Sequence, residues 1–290
     1  MQANKGQDFR EKFMEVVFFI ATATSIVAVA LICWFVFSTG IPTIRKVGFM
    51  NFIFGSKWSP SSDIYGIAPM IVGSIYVTLG AAVIGVPIGI FSAVYMTFYC
   101  PDHLKRILQA GINLLAGIPS VVFGLWALEV VVPFIRGLVG GFGMSILAAM
   151  ILLGIMILPT VITLSQSALE SVPHFYYDGA IGLGATKERS IFTVVIPAAS
   201  SGVLSSAIMG IGRAIGETMA VQMVIGNQPL FPTSLFKGGR TLTTNIVTEM
   251  SYAGGFHREV LLSTASVLFV FILIIILLFN LVKRGRRSEK

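Results

Sequence analysis

Six apolar runs of membrane-crossing length, at 16–37, 67–95, 107–132, 144–165, 195–226 and 260–282, alternate with polar stretches along the chain. Crossing a hydrocarbon layer of about 30 Å takes roughly 20 apolar residues in a helix, so the pattern predicts an all-α polytopic membrane protein with about six spans. Two polar stretches, 38–64 and 227–259, are the longest, and both are rich in Gly, Pro, Ser and Thr. With an even span count they fall on the side opposite the termini, where they are candidate docking surfaces for an external partner. A third stretch, 168–193, lies between the fourth and fifth runs and has room for one or two short interfacial helices. The chain thus divides into an N-terminal segment with the first span and outer loop (1–66), a membrane core (67–282) and a short basic tail (283–290).

Composition supports this division: of 290 residues 55% are hydrophobic and 11% charged, with mean hydropathy +0.88. Such a chain cannot hide its apolar surface in one water-facing core. The net charge of +7 does not imply nucleic acid, because the basic residues sit in short stretches between apolar runs rather than along one stripe. They report orientation instead. Lys5, Arg10 and Lys12 near the start, Lys283, Arg284, Arg286, Arg287 and Lys290 at the end, and the pairs Lys105 with Arg106 and Lys187 with Arg189 all fall on one side of a six-span topology. The bias toward basic cytoplasmic loops places both termini in the cytoplasm of a multi-pass membrane protein, although Arg45, Lys46 and Lys57 occupy the first outer loop. The first run is too long for a signal-peptide core. Cys33 and Cys100 show neither metal-ligand spacing nor a disulfide framework.

Enzymatic chemistry finds no support in the residues. No lysine follows a glycine, so the phosphate-cradling GxxxxGK[ST] loop is absent and this chain does not hydrolyse ATP by that route. His103, His174 and His257 are far apart and form no HExxH pair. Pro87, Pro119 and Pro159 lie within apolar runs near glycines. They serve either as packing kinks or as bends that shape a cavity able to open and close.

The fifth run carries Arg213 and Glu217, and a charge at a helix centre costs about 2.5–3.5 kcal/mol even on the lenient insertion scale. On a continuous ideal helix Ser206, Arg213, Glu217 and Asn227 share one face, which would line the bundle interior. Two readings stay open. At i and i+4 the pair neutralises itself and locks helices together; or Arg213 offers its planar fork of donors to an anion, with Glu217 holding or releasing that fork.

The 168–193 stretch combines aromatic Phe175, Tyr176 and Tyr177 with a small-residue series and the charged Lys187, Glu188 and Arg189. On its own it reads as an interfacial helix with aromatic anchors and a glycine turn. Its spacing, however, resembles the signature of binding-protein-dependent ABC permeases, EAA, three residues, G, nine residues, I-x-L-P. Asp178, Gly179 and Ala180 stand at the EAA positions, Gly184 follows, and 194–197 close the pattern. Asp replaces Glu, Gly the first Ala, and Ile the Leu before Pro. The segments GSIYVTLGAAVIGVPIG from Gly73, LAGIPSVVFGL from Leu115 and GIGRAIGETMAVQMVIGN from Gly210 further resemble permeases of bacterial phosphate importers.

The resemblance implies the type I ABC importer permease fold. It also implies that a coupling helix built on Asp178, Gly179, Ala180, Gly184 and Ala185 docks in a separate ATPase. The R-A-x-G-E-T run would place Arg213, Glu217 and Thr218 on the substrate pathway, together with Ser206. Implied partners are a second related permease (PstA-like), two copies of a cytoplasmic ATPase (PstB-like) that holds ATP and Mg, and an extracytoplasmic phosphate-binding protein (PstS-like), all amid membrane lipids. No cofactor is expected in this chain. Alternatives are a permease for another oxyanion, or a proton-coupled secondary transporter in which Glu217 titrates.

Overall fold

The computed structural model describes residues 5–288, with side chains from Arg10 to Phe279 and at Leu281. Residues 1–4 and 289–290, and the basic side chains of Lys5 and the tail on which the orientation argument partly rests, lie outside the described residues. Backbone groups in lipid have no water to bond, so the apolar runs satisfy themselves as helices. In chain order these are α1 (Lys5–Val47), α2 (Phe49–Phe54), α3 (Ala68–Phe98), α4 (Asp102–Gly117), α5 (Ser120–Glu129), α6 (Val131–Val139), α7 (Ile146–Glu170), α8 (His174–Gly182), α9 (Lys187–Ser190), α10 (Ile196–Gly216), α11 (Met219–Val224), α12 (Leu242–Met250) and α13 (Gly255–Ser288). A small hairpin, β1 (Trp58–Ser59) paired antiparallel with β2 (Ile64–Tyr65), sits between α2 and α3. A π-helical turn, Ile191–Val195, joins α9 to α10.

Among the described residues six stretches are long and apolar enough to cross a membrane: Arg10–Val47, Ala68–Phe98, Ser120–Val139, Ile146–Glu170, Lys187–Gly216 and Gly255–Phe279. Helix α7 is the axis of the bundle, with Leu152, Leu153, Ile157 and Val161 almost wholly covered. It packs chiefly on α3 and α10, while α5, α6 and α11 complete the same apolar cluster. The α3–α7 approach depends on glycine: a Cβ at Gly85 would stand 2.5 Å from the Gly154 carbonyl oxygen. Helix α1 is peripheral and docks on α13, where Ser263 and Ser266 donate to the Gly40 and Val36 carbonyls at 3.1 and 2.9 Å. Its remaining apolar surface faces outward, as a lipid-facing helix requires.

The third span begins later than the hydropathy pattern suggests. Residues 102–117 form a separate amphipathic helix, α4, and the crossing is made by α5 and α6. The cause is Pro119, which bars its predecessor from the helical region; Ile118 takes φ −70° and ψ 127° and the chain turns there. The outer stretches are also more ordered than polar composition implies, since α1 runs on to Val47 and 227–259 contains α12 and the start of α13.

Candidate functional site

The largest departure from the sequence reading lies in the fifth span. Helix α10 ends at Gly216, and Glu217 adopts an extended backbone with φ −70° and ψ 128°. Arg213 and Glu217 therefore do not stand one above the other on a common helix, and the shared polar arc stops at Arg213. Glu217 instead turns toward α11, its Oε1 accepting from the Thr218 and Ala220 amides at 3.2 and 3.4 Å, and its carbonyl accepts from the Thr243 hydroxyl at 3.3 Å. The carboxylate thus satisfies backbone donors that the helix start leaves open. Thr218 donates its own hydroxyl to the Gly216 carbonyl at 3.2 Å. Asn227 lies beyond the break in a left-handed turn at φ 51°.

Among the described residues Arg213 has one side-chain hydrogen-bond partner, the neutral Thr160 hydroxyl of α7, at 3.4 Å. Among the described residues the ion pairs are Lys46–Glu259, Lys105–Glu170, Arg240–Glu249 and His257–Glu249, so no carboxylate lies within 4.0 Å of Arg213. The residue is exposed on the surface of the isolated chain although it belongs to a membrane-spanning helix. A guanidinium pointing into lipid is costly, so this surface faces an aqueous pathway or a partner subunit.

The polarity continues along α7 from Thr160. Thr163, Ser167 and Glu170 are exposed at helical spacing, and together with Gln166 they face Asp102, Lys105, Arg106 and Gln109 of α4 across a cleft of about 560 Å³. Lys105 bridges it to Glu170 at 2.9 Å, and the Gln166 amide donates to the same carboxylate oxygen at 3.0 Å. A lane of hydroxyls and charges thus descends from Arg213 toward the end of the bundle that carries α8 and α9, called the loop end below. Ser206 is elsewhere: fully buried, it meets Ser165 Oγ at 2.6 Å and donates to the Val203 carbonyl at 2.7 Å, a polar link between α7 and α10.

At the loop end the 168–193 segment forms α8 and α9 joined by a glycine turn. Gly184 ends α8 in the left-handed region at φ 85°, which lets the Ala185 amide reach back to the Ala180 carbonyl at 3.1 Å. Nothing lies within 4 Å of a Cβ at Gly179, Gly182 or Gly184, and Asp178 is exposed, so this face of the segment is open. Leu183 at its tip is 91% exposed, and Phe175 and Ile181 are exposed nearby. Thr186 caps α9 by accepting from the Arg189 amide at 3.3 Å.

The opposite end, which carries the hairpin, holds a constellation that spacing did not reveal. Arg240 and Glu249, 8% and 4% exposed, pair at 2.5 Å. Trp58 Nε1 donates to both Glu249 oxygens at 2.9 Å, His257 Nε2 lies 2.9 Å from Oε2, and Arg240 also donates to Asn245 Oδ1 at 2.9 Å and the Asn227 carbonyl at 3.0 Å. Burial, with Asp63 and Glu249 close by, pushes the Tyr65 hydroxyl above its ordinary value; burial and Glu249 do the same to Tyr252. The cluster fastens the hairpin, the segment after α11, α12 and the start of α13 to one another. No single window of sequence contains these residues; only the presence of Arg, Glu and Trp in polar stretches hinted at it.

Residues 85–288 match the family described as "Binding-protein-dependent transport system inner membrane component". The chain belongs to this permease family. A relative from Bacillus subtilis described as "Probable ABC transporter permease protein YqgH" is 40% identical over 249 residues, covering 84% of this chain and 81% of that one. The "Phosphate transport system permease protein PstC" of Haemophilus influenzae is 31% identical over 94% of this chain and 90% of its own, and the protein of the same name from Mesorhizobium japonicum is 32% identical over 78% and 76%. Among solved structures, a bacterial alginate ABC transporter in complex with a pentasaccharide-bound periplasmic protein superposes with TM-score 0.66 at 14% identity, covering 96% of both chains. An inward-facing MetNI methionine ABC transporter gives 0.63 at 18% identity, covering 79% of this chain and 99% of that one. The fold is therefore that of an all-α, polytopic type I ABC importer permease, and the chain is a transport component of an ABC importer. Within it, Asp178, Gly179 and Gly184 of the EAA-like pattern lie on the open face of the α8–α9 segment. The R-A-x-G-E-T run occupies the α10–α11 break.

Proposed function

We propose that the chain is a PstC-like permease of an ATP-driven importer of inorganic phosphate, supplying half of the translocation pathway. The observation that carries this reading is Arg213: a permanently charged fork of donors on an exposed intramembrane surface, unclaimed by any carboxylate among the described residues because Glu217 caps α11. Where water is scarce, such a group attracts an oxyanion far more strongly than it does in bulk solution. The hydroxyls of Thr160, Thr163 and Ser167 continue the path with neutral partners, which keeps any one station from trapping the ion. The names of the relatives from Haemophilus and Mesorhizobium support the same cargo.

The loop end faces the cytoplasm, in keeping with Lys105, Arg106, Lys187 and Arg189. There Asp178, Gly179, Ala180, Gly184 and Ala185 dock on a PstB-like ATPase, two copies of which bind ATP and Mg. The hairpin end receives a PstS-like phosphate-binding protein, and a PstA-like permease completes the cavity opposite Arg213. ATP-driven closure of the ATPases moves the α8–α9 segment and with it α10, whose first turn is continuous with α9 through the π-helical turn.

ATP-dependent uptake into vesicles containing the assembled complex tests the proposal. Phosphate should accumulate in preference to sulfate and molybdate and should persist when the proton gradient is collapsed. Preferential uptake of another oxyanion would overturn the cargo, and uptake that needs the proton gradient but not ATP would overturn the energy source.

A further inference from the structure

Behind the α8–α9 segment, between it and the ends of α3, α4 and α7, lies a second cavity of about 410 Å³. Its wall carries Lys105, His174, Tyr177, Lys187 and Thr97, with Glu170 as its single carboxylate. Glu170 is already held by Lys105 at 2.9 Å and by Gln166 at 3.0 Å, so the pair is close to electrically neutral. The positive charge that remains belongs to Lys187. Its ammonium donates to the Phe98 carbonyl at 2.5 Å and sits 4.4 Å from the centre of the Tyr99 ring, and it has no carboxylate within 4.0 Å among the described residues. An ammonium has three donors, and among the described residues only the Phe98 carbonyl accepts from it. His174 stands at the first position of α8, so the positive end of that helix dipole faces the same space. Asp178 and Glu188, the acidic residues of α8 and α9, do not line it.

We infer that this cavity is a binding site for a phosphate group, held by Lys187 and His174 from one side and Lys105 from the other. The shared chemistry is a compact oxyanion with several acceptor oxygens, whether free inorganic phosphate from the loop-end compartment or the headgroup of an anionic lipid at the membrane surface. Its position gives it a consequence. A ligand that joins Lys187 and His174 of the coupling segment to Lys105 of α4 ties the segment to the spans and resists its displacement. On the reading of the preceding section, on which this consequence rests, imported phosphate collecting at this site restrains its own uptake.

Lysine acylation read by mass spectrometry tests the site in the purified transporter, embedded in discs of phosphatidylcholine alone. Inorganic phosphate, compared with chloride at equal ionic strength, should slow labelling of Lys187 about five-fold at a concentration several times its dissociation constant. Lys237 at the hairpin end should not change, and His174→Ala should remove the protection. Protection that appears without phosphate when phosphatidylglycerol is added to the discs assigns the site to a headgroup. Should Lys187 react too slowly in chloride to compare, broadening of the phosphate ³¹P resonance that falls in Lys187→Gln supplies the same readout. Unchanged Lys187 labelling in every condition, or broadening indifferent to Lys187→Gln, overturns the inference. The assay reads binding without turnover, so its failure beside intact phosphate uptake removes the site alone. Protection in a transporter that carries another oxyanion removes the cargo assignment alone.

Discussion

Arg240 and Arg213 carry the same side chain to opposite ends of its range. Arg240 is 8% exposed and committed to Glu249, Asn245 and the Asn227 carbonyl, whereas Arg213 is exposed in a spanning helix with a single hydroxyl neighbour at 3.4 Å. The difference lies in what the backbone does nearby. Around Arg240 the polar stretch folds back on α3, where Ser74 Oγ accepts from the Leu242 amide at 2.9 Å, and this brings Glu249 and Trp58 within reach. Around Arg213 the helix breaks at Gly216 and takes the nearest carboxylate away. The first arginine holds structure, and the second is left able to meet a ligand.

The comparison can be broken at its structural end first. Glu249→Ala leaves Arg240 buried without its counter-charge and removes the acceptor of Trp58 and the partner of His257, so it should cost about 3–5 kcal/mol. Thermal unfolding in detergent measures this, with the near-ultraviolet signal of Trp58 lost in parallel. A variant as stable as the parent would mean that the cluster is ornamental. Glu217→Ala should cost about 1 kcal/mol, the usual loss for a helix cap. Its double-mutant cycle with Arg213→Ala should show a coupling energy within the roughly 0.3–0.5 kcal/mol scatter of independent sites. Coupling well above that would restore the i, i+4 ion pair.

A stability effect of the same size, with none on transport, is expected of Ser206→Ala. Loss of the Ser165–Ser206 hydrogen bond between α7 and α10 should destabilise by about 1 kcal/mol and leave the rate of transport per assembled complex unchanged. A transport defect at normal stability would return Ser206 to the pathway.

Much of this architecture could be read from the order of residues, and the exceptions have local causes. Spans are legible because lipid demands long uninterrupted apolar runs. The α8–α9 turn is legible because a tight turn after a helix needs a left-handed glycine, which Gly184 supplies at φ 85°. Breaks are less so: Pro119 ends one helix and starts another, yet Pro87 and Pro159 remain inside α3 and α7, where the neighbouring helices pack around them. The Gly216–Glu217 break has no proline to announce it. The Trp58–Arg240–Glu249–His257 cluster joins Trp58 to a carboxylate 191 residues further along the chain, so no periodicity could expose it.

The central claim is that Arg213 serves passage and does not hold the fold together, and Arg213→Ala measured for both stability and uptake tests it directly. With no ion pair to break, the variant should unfold within about 0.5 kcal/mol of the parent and assemble normally, while ATP-dependent phosphate uptake per complex falls to background. A variant that transports at the parental rate, or one that fails to assemble because it has lost several kcal/mol, would contradict the account.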